Sequence, residues 1–176
     1  MTEATQRLQA RLQELRESFD RGFGEPLATV TEDSIELIRI RVGQRAYALR
    51  SSEIAGLEAD RTVTPLPSDN RELLGIAGVR GAVVAVFDLA LFLDLPPSEA
   101  PRWLVLARAS PTAFAFTAFE GQLRVHHDAV SVVQHGAIGC LREFVQHNGE
   151  SLPLIDVRAL VAALEGRARP KQIGGV

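Results

Sequence analysis

Histidines are the first residues to consider for chemistry, because neutral imidazole is a common metal ligand. The chain contains four, at His126, His127, His135 and His147. On a strand, the adjacent His126 and His127 point to opposite faces. No ligand pair has HxxxH or CxxC spacing, which are common in zinc sites. We therefore interpret the histidines as ordinary surface residues, and we predict neither a metal site nor a cofactor.

Cys140, Asp88 and Asp156 are the next candidates, as a nucleophile and a pair of catalytic carboxylates. Cys140 is the only cysteine, and its small-residue segment AIGC favours a buried or inert thiol. Each aspartate stands where a predicted strand meets a predicted helix, which favours a helix cap. Walker A, dinucleotide-binding and GxSxG motifs are absent from the sequence. The sequence therefore predicts no catalytic residues and no enzyme activity.

Arg80 is a lone cation between Val79 and Gly81, in an apolar, glycine-rich stretch that we interpret as a connection into a core strand. A guanidinium group buried there without a partner would be costly. Two interpretations follow and both stay open: a structural ion pair, or a recognition residue at the edge of a groove.

The elements that would position these residues form an internal repeat. Residues 81–88 read GAVVAVFD and residues 149–156 read GESLPLID, each followed by an apolar, helix-like stretch. A hairpin pattern precedes each phrase, over residues 37–49 and 103–116. Alternating apolar residues and regular turns indicate two similar β units.

Residues 4–21 form a separate predicted helix. Leu8, Leu12, Leu15 and Phe19 lie on one helical face, which predicts docking to a partner or to the protein itself, and a linker follows up to residue 33. We expect the main domain over 34–165, with its second half starting near residue 100 after the prolines at 96, 97 and 101. Residues 166–176 resemble a flexible tail.

Composition narrows the possible partners and the location. The net charge of −3 and the pI near 5.8 disfavour a polyanion such as nucleic acid. The N-terminus lacks a secretory signal, and no apolar run approaches the roughly 20 residues that cross a bilayer. We therefore expect a cytoplasmic protein with no membrane insertion and no nucleic acid bound.

Three segments together resemble the CheW-like chemotaxis coupling proteins: residues 47–57 (YALRSSEIAGL), 63–67 (VTPLP) and 74–89 (LGIAGVRGAVVAVFDL). The final segment GESLPLIDVRALV also fits the family's last strand and helix. The resemblance covers about residues 35–165. It implies a mainly β fold of two small five-stranded SH3-like barrels with short helices, to which this chain adds its N-terminal helix.

The resemblance also implies a function. Such proteins are non-enzymatic adaptors that join the cytoplasmic tip of methyl-accepting chemoreceptors to the regulatory domain of a chemotaxis histidine kinase, at receptor arrays. Two alternatives are an array-assembly protein that binds receptors or itself without engaging the kinase and, more remotely, a small-barrel nucleic-acid binder.

Site residues follow from the same resemblance. The groove that would bind the receptor includes Arg80, Ile54, Leu57 and Gly75. For the kinase contact, apolar residues of the matched segments, expected to be exposed at a barrel end, are Tyr47, Leu49 and Val63.

The chain departs from the family pattern at three positions. Gly56 stands where the family has an acid that would pair with the loop arginine, and Glu58, on the same strand face, is the substitute. Gly78 replaces an asparagine and Ala85 a proline. These changes affect the expected receptor contact more than the fold.

Overall fold

The computed structural model describes residues 33–132 and 139–168. The chain divides into two compact units, Met1–Ser34 and Ile35–Val176. The helix predicted at residues 4–21 lies outside the described residues, as do His135 and residues 169–176.

Eleven strands and two α-helices make up the described part of the chain. The first half contributes β1 (Ser34–Val42), β2 (Arg45–Arg50), β3 (Ile54–Ala59), β4 (Leu73–Val79), β5 (Ala82–Asp88) and the short helix α1 (Leu89–Phe92). The second half contributes β6 (Trp103–Ala107), β7 (Thr112–Phe116), β8 (Ala118–His126), β9 (Val130–Val132), β10 (Leu141–His147), β11 (Glu150–Ile155) and the helix α2 (Val157–Ala168).

The strands form two mixed sheets whose members come from both halves of the chain. One sheet has the order β8-β1-β2-β11-β10-β9, and the other has the order β3-β6-β7-β5-β4. The hairpin β1–β2 therefore joins the sheet of the second half through parallel pairing of β2 with β11. In the same way, β6–β7 joins the first half's sheet through parallel pairing of β7 with β5.

This exchange of hairpins corrects the expected division near residue 100. That position separates the two sequence repeats, but it does not separate the two sheets. A sequence repeat shows which segments are alike and leaves open which copy each segment pairs with. The mainly β fold class is confirmed, and one sheet has six strands in place of the expected five.

Within the exchanged hairpins, the centres of β2, β6 and β7 are buried on both faces, because each lies between two core clusters, whereas Arg39 and Arg41 of β1 are partly exposed. Tyr47 and Leu49 of β2 pack in a cluster that both sheets and both helices share, while Ala48 packs in a second cluster. Phe114 and Phe116 of β7 enter the shared cluster from the other sheet. Strands covered on both faces are apolar at successive positions, as in the sequence TAFAF of β7.

Two elements differ from the sequence interpretation. The glycine-rich stretch before Arg80 is not a connection but the strand β4, which pairs with β5 from Leu73 to Val79. Helix α2 continues to Ala168, so residues 166–168 belong to a helix and not to a tail. Among the described residues, no helix has both the length and the apolar character needed to cross a membrane.

Candidate functional site

Arg80 lies in an unfavourable backbone conformation at the tip of the β4–β5 hairpin. Val79 pairs with Ala82, so Arg80 and Gly81 alone form the turn, and their φ angles are 51° and 81°. Two positive φ angles define a type I′ turn, whose first position favours Asn, Asp or Gly. The corresponding turn between β10 and β11 follows that preference, with Asn148 at φ 50° and Gly149 at 79°.

The two turns differ in the conformational cost of their first residue, which is Arg80 in one and Asn148 in the other. A long side chain in the left-handed region costs roughly 1 kcal/mol or more, and the asparagine at the other turn shows that this fold accepts the favourable residue. Residues in strained backbone conformations cluster at active sites, ligand-binding sites and switch regions.

The Arg80 guanidinium is held at the surface by one carboxylate. Arg80 Nε donates to Glu58 Oε1 at 2.9 Å, and the Arg80 side chain is 60% exposed whereas that of Glu58 is only 12% exposed. Arg61 Nη2 also donates to Glu58, at 2.7 Å. Hydrogen bonds from Arg61 and then from Arg80 lower the pKa of the Glu58 carboxyl. The substitute partner expected for Arg80 is therefore the partner in the structure.

Gly56 provides the space in which the guanidinium lies. A Cβ atom built on Gly56 would stand 2.7 Å from Arg80 Nη2, closer than non-bonded carbon and nitrogen approach. An acidic side chain at this position would displace the guanidinium. Gly56 therefore leaves room for the guanidinium, and Glu58 supplies the carboxylate that pairs with it. Relative to the family pattern, the acid lies two residues further along β3.

Packing of the backbone explains why position 75 requires glycine. Its φ is 145°, and a Cβ atom there would stand 2.1 Å from the carbonyl oxygen of Thr64. Thr64 extends the sheet edge beside β4, since Thr64 N donates to Ile76 O at 2.8 Å and Ile76 N donates to Thr64 O at 2.9 Å. Gly75 therefore permits a close backbone approach and carries no side chain to a partner.

The remaining predicted site residues lie mostly beneath the surface. Ile54 is 5% exposed, and Leu57 is half-buried on β3. The expectation that Tyr47 and Leu49 are exposed is wrong, because they are 3% and 0% exposed in the shared core. Val63 is half-buried against the core cluster of the five-stranded sheet.

Known proteins were compared with this chain. The sequence profile of the CheW-like domain matches residues 36–165, well over half of the chain. The chain belongs to the CheW-like domain family. No curated protein matches.

Among solved structures, the scaffolding protein TtCheW from Thermoanaerobacter tengcongensis matches with a TM-score of 0.64 and 11% sequence identity. The match covers 69% of this chain and 88% of that chain. At this identity, the likeness concerns the fold alone.

Sequence reasoning missed the apolar residue beside Arg80. Val83 of this CheW-like domain is 66% exposed, and its cross-strand partner is Gly78, which has no side chain to cover it. The signal was present in the sequence, because β5 is apolar at successive positions while its partner strand is rich in glycine. Arg80 and Val83 together give the hairpin tip one cation and one exposed aliphatic side chain.

Both predicted caps are present in the CheW-like domain. Asp88, which is 1% exposed, accepts from Ala90 N at 3.0 Å and also from the backbone and hydroxyl of Ser98, both at 2.8 Å. Asp156 accepts from Ala159 N at 2.8 Å, in the first turn of α2. The Asp88 carboxylate therefore joins the start of α1 to the proline-rich segment between the two repeats.

Glu53 is a second carboxylate at the start of α2, and the sequence analysis did not identify it. Glu53 Oε2 accepts from Val157 N at 2.9 Å, and the residue is 8% exposed. Burial raises the pKa of its carboxyl, and the bond from Val157 opposes that shift. Glu53 thus links the crossover between the two sheets to the last helix.

The other candidates for chemistry are the single cysteine and the described histidines. Cys140 is buried, as expected, and burial raises the pKa of its thiol, which disfavours the reactive thiolate. His126 and His127 are exposed at the end of β8, and His147 is half-buried beside Asn148.

Proposed function

We propose that this protein is a non-catalytic adaptor that couples chemoreceptors to a chemotaxis-type histidine kinase at cytoplasmic receptor arrays. Membership of the CheW-like domain family supports a scaffold role in chemotaxis. One observation in this chain supports a recognition site at the tip of the β4–β5 hairpin: Arg80 occupies a costly turn conformation and presents its guanidinium to solvent.

The proposed receptor contact has Arg80 at its centre. Within the described residues, the guanidinium has N–H groups without a partner beyond the Nε that bonds Glu58, and Arg is well suited to bidentate contacts with carboxylates and carbonyl groups. Leu57 lies on the opposite face of β3 from Glu58 and packs against the shared core, so it supports this strand from within. Ile54 and Gly75 act indirectly, since they are buried and shape the strands that support the contact.

The proposed kinase contact needs an exposed apolar residue. Val63 remains a candidate, and Val83, with its larger exposure, joins it. Tyr47 and Leu49 affect such a contact only through the core.

The test is a pair of calorimetric titrations of the full chain, one against a chemoreceptor cytoplasmic fragment and one against a kinase regulatory domain. The key variant is Arg80→Asn, because asparagine keeps the turn conformation and removes the guanidinium. Loss of a charged hydrogen bond worth about 1.5–3 kcal/mol predicts at least tenfold weaker receptor binding. Arg124→Asn is the matched control, since Arg124 is an exposed arginine paired with Glu36 elsewhere.

The outcomes separate the alternatives. Binding to both partners supports the adaptor, and binding to the receptor alone supports the array-assembly alternative. Unchanged receptor affinity of Arg80→Asn would remove Arg80 from the proposed site. Absence of binding to either partner would contradict the proposal itself.

A further inference from the structure

A cleft of about 690 Å³ lies beside the C-terminal half of α2. Ala85 and Phe87 of β5 line it together with Leu164 of α2, and all three side chains are half-buried. Asp69 and Glu165, both exposed, are part of the same lining. The cleft therefore combines apolar side chains with acidic groups.

Charge is unevenly distributed around this cleft. Among the described residues, its lining contains the acids Asp69, Glu72 and Glu165 and a single base, Arg71. An occupant that brings positive charge and at least one aliphatic side chain is complementary to such a lining. Its positive charges pair with the acidic groups at the solvent-exposed edge, and its aliphatic side chain is removed from water against the apolar residues.

The chain itself continues with a segment of that chemistry. Helix α2 is described through Ala168, three residues beyond Glu165, and residues 169–176 read RPKQIGGV. This segment contains Arg169, Lys171 and Ile173 and no acidic side chain. Pro170 disfavours continuation of the helix, so we expect the chain to leave the helix axis close to the cleft.

The length of the segment is sufficient to reach across the cleft. Eight residues extend up to about 26 Å, whereas a cavity of this volume is on the order of 10 Å wide. We propose that residues 169–176 occupy the cleft of their own chain, with Arg169 and Lys171 near the acidic residues and Ile173 against the apolar lining. The inference is independent of the partners proposed above.

A charge-swap experiment on the full chain tests this proposal by NMR. The readout is the amide shifts of Ala85, Phe87 and Thr112, which line the cleft and are distant in sequence from every substitution. Reversing the segment's charge in Arg169→Glu/Lys171→Glu should move these signals. Adding Asp69→Lys/Glu165→Lys to that variant should return them towards their original positions, because the charges are again complementary.

Arg124→Glu is the control for charge reversal at an exposed arginine outside the cleft, and it should leave the three signals in place. Two results would overturn the proposal. One is that the three signals respond to reversal of residues 169 and 171 no more than to the control. The other is that their shifts depend on protein concentration, which would assign the occupant to a second copy of the chain.

Discussion

At the scale of single residues, the two hairpin turns differ in how well their first residue suits the backbone. Asn148 and Arg80 occupy equivalent left-handed positions, and only the asparagine suits the backbone. The arginine is retained at a conformational cost that the rest of the hairpin offsets. A substitution that relieves the turn strain and keeps the turn intact separates the effect of strain on stability from the effect of the guanidinium on binding.

Arg80→Asn should therefore leave stability unchanged or raise it by up to about 1 kcal/mol, since turn strain is relieved and an exposed ion pair contributes little. Thermal or urea unfolding measures this, with Asn148→Arg as the reciprocal variant that should lose a similar amount. A clear loss of stability in Arg80→Asn would show that the residue has mainly a structural role.

Gly75→Ala should destabilise the protein by more than about 2 kcal/mol, because the new methyl group meets the Thr64 carbonyl and the backbone angle disfavours a side chain. Gly121→Ala is the control. Gly121 has nearly the same φ, 141°, but open space at its Cβ position. The difference between the two losses, measured by urea unfolding, gives the cost of the close contact alone, and equal losses would contradict it.

Glu53 gives a pH dependence whose sign follows from its raised pKa in the folded state. The folded protein binds this proton more tightly than the unfolded chain does, so stability falls as pH rises from the ordinary glutamate pKa through the raised one. Glu53→Gln keeps an acceptor for Val157 N and should remove this part of the pH dependence.

Urea unfolding at several pH values measures the effect of Glu53→Gln. Relative to the original protein, the variant should be most favoured at neutral pH and lose that advantage in acid. A constant difference across the pH range would show that burial of the Glu53 charge does not affect stability.

The sequence predicted the two helix caps correctly, because a cap depends on neighbours within three residues. The burial of Tyr47 and Leu49 was not predicted, because it depends on residues far away in the sequence. Local alternation identifies a strand and its faces, but only the distant strands of the other repeat determine that both faces of β2 are covered.

At the scale of elements, β2, β6 and β7 of the exchanged hairpins form the interior of the fold, and the tip of β4–β5 forms exposed surface. Strand β4 was interpreted as a connection because Gly75, Gly78 and Gly81 interrupt its apolar pattern. In the structure, Gly75 permits the approach of Thr64, Gly78 leaves Val83 uncovered and Gly81 completes the turn.

Because one region is buried and the other exposed, truncating a side chain in each should change stability by very different amounts. Leu49→Ala creates a cavity in the shared core and should cost about 2–5 kcal/mol. Val83→Ala removes exposed atoms and should change stability by less than about 0.5 kcal/mol. It should also lower the affinity of any partner that binds the tip. Chemical denaturation of both variants measures this, and a large stability loss in Val83→Ala would show that its side chain is covered.

At the scale of the whole molecule, the two sheets share one core and exchange one hairpin each. Trp103 of β6 also contacts Phe119 of β8 in the other sheet, with ring centroids 5.4 Å apart. The repeat in the sequence predicted two similar units. Their exchange was not predictable, because β2 and β5 are each compatible with a partner from either copy.

This exchange predicts that the sheets unfold in a single transition. The chain contains one tryptophan, in the five-stranded sheet, and one tyrosine, Tyr47, in the six-stranded sheet. Trp103 fluorescence and the ¹⁹F signal of fluorotyrosine at position 47 should therefore give the same urea midpoint. Two distinct midpoints would show that the sheets are separable domains.

The hairpin exchange also constrains how the chain acquires its structure during synthesis. Of the described strands, β1 and β2 leave the ribosome first, yet the parallel partner of β2 is β11, the last of them to be made. The first repeat cannot complete its own sheet either, because that sheet needs β6 and β7 from the second repeat. Stable folding is thus delayed until the domain is almost fully translated, and the nascent chain exposes apolar strands during that interval.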